Sequence, residues 1–395
     1  MHERPQIQTL INRMAEKRRS IQVIIGPRQV GKTTMIEQFL SRKVLPFHFI
    51  SADSIYTSQT IWLEQQWETA RIMQSQQGGG EFILIIDEIQ KITNWSETVK
   101  LFWDEDTHLN NPLKVILSGS SSLLIQKGLT ESLAGRFEII FMQHWTYLEM
   151  HKAFGWTPEN YAWFGCYPGS ADLISDENRW KSFIVNSLIE TSISKDVLMM
   201  VTIYKPALLK NLFELGCLYS GQILSFTKIL GQLADAGNTT TLSHYLSLLD
   251  TAGLLCGLEK YNCKKIKQRS SSPKFQVLNN ALFSAQRTES FEEITSKPEL
   301  WGRAIESAIG THLLSYSKFE NFKVYYWREA GHEVDFIISK GDQVVGIEVK
   351  TGYLKDRTGI DSFKKSYPTA RVILVGKNGI PWQDFIKINP ASLLA

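Results

Sequence analysis

Residues Gly26-Pro27-Arg28-Gln29-Val30-Gly31-Lys32-Thr33-Thr34 fit the pattern G-x-x-x-x-G-K-[ST]. Each residue type answers a chemical need. Glycines let the backbone turn so that successive N–H groups face an anion. The helix expected over Thr34 to Leu40 aims the positive end of its dipole at the same place. Lys32 would reach the β- and γ-phosphates of a nucleoside triphosphate, and Thr33 would take a Mg²⁺ position. Farther along, Glu81–Glu88 reads EFILIIDE, an apolar run closed by two acids. Asp87 would support Mg²⁺ through water, and Glu88 would orient or activate the attacking water. Ser118 or Ser120 follows the apolar Lys114–Leu117 and would sense the γ-phosphate, since strand ends bind ligands in open α/β sheets. Arg136, in Leu133-Ala134-Gly135-Arg136-Phe137, would serve as an arginine finger on a neighbouring subunit's nucleotide. A surface arginine after a turn is the competing reading. The expected cofactors are ATP and Mg²⁺.

Two further groups of charged residues lie downstream. The run Lys264-Lys265-Ile266-Lys267-Gln268-Arg269-Ser-Ser-Ser-Pro-Lys274 carries five basic residues and no acid. If all five met phosphates, log affinity would fall against log salt with a slope of about −4.5. Upstream of it, Asn238, Thr240, Ser243, His244 and Tyr245 offer polar groups suited to DNA backbone or bases. A solvated lysine loop on a module that contacts protein competes with DNA binding. Later, Asp335, Glu348 and Lys350 form a D…E-x-K pattern. Strand period two puts Glu348 and Lys350 on one face and Ile347 and Val349 on the other. A neighbouring strand would bring Asp335 alongside, and the helix expected over Leu300–Ser315 would bring Glu306. Carboxylates so placed would bind Mg²⁺, with Lys350 orienting water or stabilising phosphate charge rather than acting as a ligand. A nuclease, a nuclease fold kept for DNA binding, and accidental strand-edge charges all remain open.

The elements that must position these residues follow from length and pattern. A chain of 395 residues exceeds a single core, which rarely passes about 250–300 residues. The hydrophobic share of 43% and charged share of 21% are those of a globular protein. A net charge of +3 means any nucleic-acid footprint is local. Cys166, Cys217, Cys256 and Cys263 form no C-x-x-C pair, which suggests reduced thiols. The opening MHERPQIQTL lacks a signal-like segment, and no apolar run approaches the roughly 20 residues of a membrane span. A cytoplasmic protein with no membrane partner is expected. Residues 4–19 read as an amphipathic helix whose basic end, Lys17, Arg18 and Arg19, is a solvated terminus. Phe47–Ile50 reads as a strand, and residues 55–77 as a helix closed by Gly78-Gly79-Gly80. Ala207–Tyr219, Ser225–Gln232 and Thr240–Asp250 read as three helices with a turn at Ala236-Gly237-Asn238, the helix-turn-helix pattern. Gly253–Leu258 and Lys274–Leu278 would be the strands of a wing. Lys323–Arg328, His332–Ile338, Val344–Lys350 and Arg371–Gly376 give a mixed α/β region.

GPRQVGKTT, ILIIDEIQ, ILSGSSS and LAGRFEII, in this order, resemble the prokaryotic AAA+ ATPases often called archaeal-type ATPases. WFGCYPGS and SLIETSISKD resemble the linker and helical stretch of that family, and the tail its uncharacterised C-terminal half. The D…E-x-K region resembles the PD-(D/E)XK nuclease fold, with Glu306 as the helix-borne acid. The family usually has an Asp in the strand after the wing, where this chain has Asn279 or Asn280. The resemblance implies an α/β chain in four parts: an AAA+ core over 1–150, a helical lid over 151–205, a winged helix over 206–278, and a restriction-endonuclease-like domain over 279–395. An arginine finger supplied in trans implies a homo-oligomer, such as a hexameric ring. Arg179 is a lid arginine candidate. The expected function is ATP-driven work on duplex or branched DNA, such as Holliday-junction branch migration or remodelling. The alternative is a nucleotide-switched regulatory or defence ATPase that gates a Mg²⁺-dependent nuclease or a protein contact.

Overall fold

A computed structural model describes residues 2–54, 60–119, 125, 128–129, 132–198, 203–231, 238–262, 271–352 and 357–395. Five strands build the first sheet: β1 (Ile21–Ile25), β2 (Phe47–Ser51), β3 (Phe82–Asp87), β4 (Leu113–Gly119) and β5 (Phe137–Phe141). All pair in parallel, in the order β2-β3-β4-β1-β5. Central parallel strands are covered on both faces, which is why β1, β3 and β4 are buried along their whole length. Strand alternation divides the apolar side chains between two layers. Ile24, Ile83, Ile85 and Ile116 meet α1 (Gln6–Ala15) and α2 (Lys32–Ser41) through Ile7, Leu10, Met35 and Phe39. Val23, Leu84, Ile86 and Leu117 meet α3 (Thr60–Gln76) and α4 (Trp95–His108) through Leu63, Trp67, Val99 and Trp103. Each such fully buried aliphatic side chain contributes roughly 1.5–3 kcal/mol.

The chain forms two compact units, Met1–Gln143 and His144–Ala395. Within the second, α5 (Pro206–Leu218), α6 (Phe226–Leu230) and α7 (Thr239–Thr251) precede an antiparallel pair, β6 (Leu255–Leu258) and β7 (Lys274–Val277). Then α8 (Pro298–Glu320) leads into β8 (Lys323–Glu329), β9 (His332–Lys340) and β10 (Gln343–Lys350). After α9 (Thr358–Ser366), β11 (Arg371–Gly376) adds parallel to β10 in a sheet ordered β11-β10-β9-β8. The β8–β9 hairpin turns on Ala330 and Gly331, both at positive φ (48° and 85°), as the twist-matched two-residue turn requires. Among the described residues no helix is long and apolar enough to cross a membrane.

Candidate functional sites

In the first unit, three strand ends meet at one edge. Ile86 pairs with Leu117, so Asp87 lies beside Ser118, and Ser118 pairs with Ile24 of the strand that feeds the P-loop. Two glycines permit the loop for different reasons. A Cβ on Gly26 would stand 2.0 Å from the carbonyl oxygen of Met142, whereas Gly31 is required by its φ of 90°. Lys32 is buried and its ammonium donates to the carbonyls of Gly26 (3.0 Å) and Pro27 (2.7 Å). These neutral oxygens stand where phosphate oxygens would compete for the same donor.

Asp87 gathers three donors. Thr33 Oγ1 donates at 2.8 Å, the Glu88 amide at 3.0 Å, and the Ser118 hydroxyl completes the set. Ser118, the residue expected to sense the γ-phosphate, contacts the Asp87 carboxylate. Its side chain is fully buried on a central strand and turned to Asp87, which it orients. Ser120 lies outside the described residues. Glu88 adopts a left-handed backbone (φ 53°), uncommon for a non-glycine and typical of functional sites, and its carboxylate receives the Gln90 amide. Hydroxyl and carboxylate oxygens at Thr33 and Asp87 are the hard donors that Mg²⁺ takes.

Sequence reasoning missed two residues here. Gln90 is one. The other is Arg4, which is buried and donates to the carbonyls of Val30 (3.1 Å) and Gln143 (3.0 Å), tying the loop to the segment after β5. An arginine directly before Pro5 at the head of an amphipathic helix was the available signal. Arg136 precedes β5, whose Phe137 pairs with Ile21, so it sits at the opposite end of the sheet from its own P-loop. Its guanidinium grips Asp104 with both arms, Nε to Oδ1 at 2.7 Å and Nη2 to Oδ2 at 2.9 Å. That hydrogen bonding holds the Asp104 carboxyl below its ordinary pKa.

The second unit holds a cleft of about 520 Å³ lined by Glu306, Glu333, Asp335, Glu348, Lys350 and Arg328, among others. The predicted acids do converge. Ile347 pairs with Phe336, so the next pair sets Glu348 beside Asp335. Asp335 Oδ2 accepts from the Val349 amide at 2.8 Å, and Lys350 Nζ lies 3.0 Å from Glu348 Oε1 and 3.9 Å from Asp335 Oδ2. Burial, reinforced by Asp335, pushes Glu348 up to about 7. Burial pushes Glu306 up to about 7 as well, although the nearby Lys274 pulls the other way.

Lys274 overturns its expected role. The sequence places it in the basic DNA-binding run, yet its side chain is fully buried. Its Nζ lies 2.7 Å from Glu306 Oε1, 3.0 Å from the Asp335 carbonyl, and 3.7 Å from both Glu333 Oε1 and Asp335 Oδ1. Burial alone would lower its pKa, but the carboxylates of Glu306, Asp335 and Glu333 outweigh that and hold it raised. The physical reason is strand alternation. Phe275 and Val277 take one face of β7, while Lys274 and Gln276 take the other, where Gln276 donates to the Ser307 carbonyl of α8 at 2.9 Å. The expected Mg²⁺ set of Glu306, Asp335 and Glu348 is corrected with it. Among the described residues no group of three or more His, Cys, Asp or Glu is arranged to hold a metal.

Of the other expected DNA contacts, Thr240, Ser243 and His244 are exposed on α7. Asn238 instead caps that helix by accepting the Thr241 amide at 2.8 Å, and Tyr245 is buried. Lys264, Lys265, Lys267 and Arg269 lie outside the described residues. Asn279 and Asn280 are buried structural residues: Asn279 accepts the Cys166 amide (3.0 Å), and Asn280 accepts the Ser307 hydroxyl (2.6 Å). The Arg179 amide donates to the helix cap Asp176.

Comparison with known proteins matches residues 18–151 to a family described as AAA domain. Residues 156–292 and 301–394 match two domains of unknown function, DUF8612 and DUF4143. An uncharacterized protein of Haemophilus influenzae is 21% identical over 345 residues, covering 83% of this chain and 82% of its own. An uncharacterized protein of Mycobacterium tuberculosis is 23% identical over 397 residues, covering 96% of this chain and 82% of its own. The Thermotoga maritima RuvB Holliday junction branch migration motor aligns at 19% identity and a TM-score of 0.30, covering 60% of this chain and 82% of its own. The first unit is thus an α/β P-loop core of the AAA+ type, carried by the match over 18–151 and the parallel sheet.

Proposed function

We propose that the first unit hydrolyses ATP and that the chain couples this to work on duplex or branched DNA. The observation that carries the first half is the joining of Lys32, Thr33, Asp87 and Glu88 at one sheet edge. Lys32 would exchange its carbonyl partners for β- and γ-phosphate oxygens, and the α2 N-terminus and loop amides would cradle the rest. Mg²⁺, when bound, would neutralise phosphate charge; Thr33 and Asp87 would hold it. Glu88, held by Gln90, would position the attacking water. Arg136 stands too far along the sheet to serve its own nucleotide, which supports supply across an interface of a homo-oligomer, as in a hexameric ring. It would have to leave Asp104 to do so.

The DNA half rests on the three helices and two strands of 206–277, the exposed Thr240, Ser243 and His244, and the basic run. With Lys274 withdrawn, four basic residues remain, and the expected salt slope falls to about −3.6. A winged helix and a nuclease-like domain beside a motor suit branch migration or remodelling of junctions. The test is phosphate release from ATP with duplex, single-stranded and four-way-junction DNA. Stimulation by at least one is expected; no stimulation and no salt-sensitive binding would overturn the DNA half.

A further inference from the structure

We infer that Lys274 is the built-in cation of the acidic cleft: its ammonium takes the place between Glu306 and Asp335 that a divalent ion would need, so the cleft of the native chain binds no Mg²⁺ or Mn²⁺. Between those two carboxylates the geometry leaves no room for both. Mg²⁺ sits about 2.0–2.1 Å from its oxygen ligands. Here Glu306 Oε1 already lies 2.7 Å from Nζ and Asp335 Oδ1 3.7 Å from it. A metal shared by those two oxygens would face a fixed positive charge at close range, in surroundings that screen it poorly.

Nor can the ammonium withdraw easily. All of β7 is buried, and the strand is held between β6, where Lys274 pairs with Leu258, and residues 222–223. Lys274 itself bridges to Ile223, and the Phe275 amide donates to the Gln222 carbonyl at 2.9 Å. The ring of Phe336 lies 4.6 Å from Nζ and adds a cation–π contact. The cleft is therefore a carboxylate pocket neutralised by protein, with Lys274 on its inner side and Lys350 at its mouth. This holds whether or not the first unit hydrolyses ATP, because it uses none of the same residues.

The test is Mn²⁺ titration of the full chain without nucleotide at pH 8, read by the electron paramagnetic resonance of free Mn²⁺. The proteins are the native chain, Asp335→Asn, Lys274→Met and the double variant. Native chain and Asp335→Asn should bind Mn²⁺ alike. Lys274→Met should gain one site at least ~10-fold tighter than any in the native cleft, and Asp335→Asn should abolish that gain. Lys274→Arg, which keeps the cation, should gain nothing. Mn²⁺ binding in the native chain that Asp335→Asn removes would overturn the inference, and so would a folded Lys274→Met with no new site. If Lys274→Met does not fold, the native chain against Asp335→Asn decides alone.

Discussion

Two buried lysines, one in each unit, show how the same side chain is put to opposite uses. Lys32 donates to two backbone carbonyls, Lys274 to a carboxylate and a carbonyl with two more carboxylates near by. Carbonyls are neutral, so an incoming polyanion can outbid them for the ammonium. Carboxylates are charged, and separating them from a buried ammonium leaves unpaired charge in a medium that cannot solvate it. The first lysine is poised to change partners, and the second is fixed.

The contrast breaks most visibly in paired substitutions. Lys32→Met should slow phosphate release at least ~100-fold while costing only about 1 kcal/mol of stability, since it removes ordinary hydrogen bonds. Lys274→Met should leave basal ATP hydrolysis within about twofold and destabilise the second unit by about 3–5 kcal/mol, followed by urea unfolding. A Lys274→Met protein that unfolds at the same urea concentration as the native chain would show that the lysine's ion pairs do not hold the second unit together. A smaller effect is expected at Ser118. Ser118→Ala removes a donor that orients Asp87, and should weaken the Mg²⁺ dependence of ATP hydrolysis about 10-fold, as loss of an outer hydrogen bond to a metal ligand does. An unchanged Mg²⁺ requirement would return Ser118 to a packing role.

The last effect concerns pH in the second unit. Glu348 has its pKa raised from 4.5 to about 7, so the folded chain holds a proton there that the unfolded chain releases. Stability from this group is thus present below the unfolded value and lost as pH rises through about 7. Glu348→Gln should gain up to about 3 kcal/mol over the native chain at pH 8, and almost nothing at pH 3.5. A gain that does not vary with pH would mean the glutamate is not held protonated by burial.

How much of this was legible beforehand differs between the two sites for the same physical reason. The first is built by short-range geometry. A strand, a loop and a helix in succession place Lys32 and Thr33, and an apolar run closed by Asp87 and Glu88 announces its own burial. What the pattern missed there were long-range partners: Arg4 over the loop, and Asp104 under Arg136. The second site is assembled from β7, α8, β9 and β10, distant in sequence. The D…E-x-K spacing was visible because it repeats at strand period. Lys274 was not, because a window along the chain joins it to Lys264–Arg269, while its true neighbours are Glu306 and Asp335. Its one local signal was that it opens a strand, with Phe275 and Val277 alternating behind it, and does not lie in the loop with the other basic residues. Residues 60–76 carried no functional signal, and Trp67 proves to be a core residue whose indole donates to the buried Asp106 at 2.8 Å.

The central claim is that Glu88 turns a nucleotide-binding edge into a hydrolytic one. Glu88→Gln keeps the shape and the contact distance to Gln90 but cannot take a proton from water. Phosphate release and ATP binding measured side by side on this variant test the claim most directly. Binding within about threefold of the native chain and release slowed at least ~100-fold is the expected result. Release at the native rate would contradict the account.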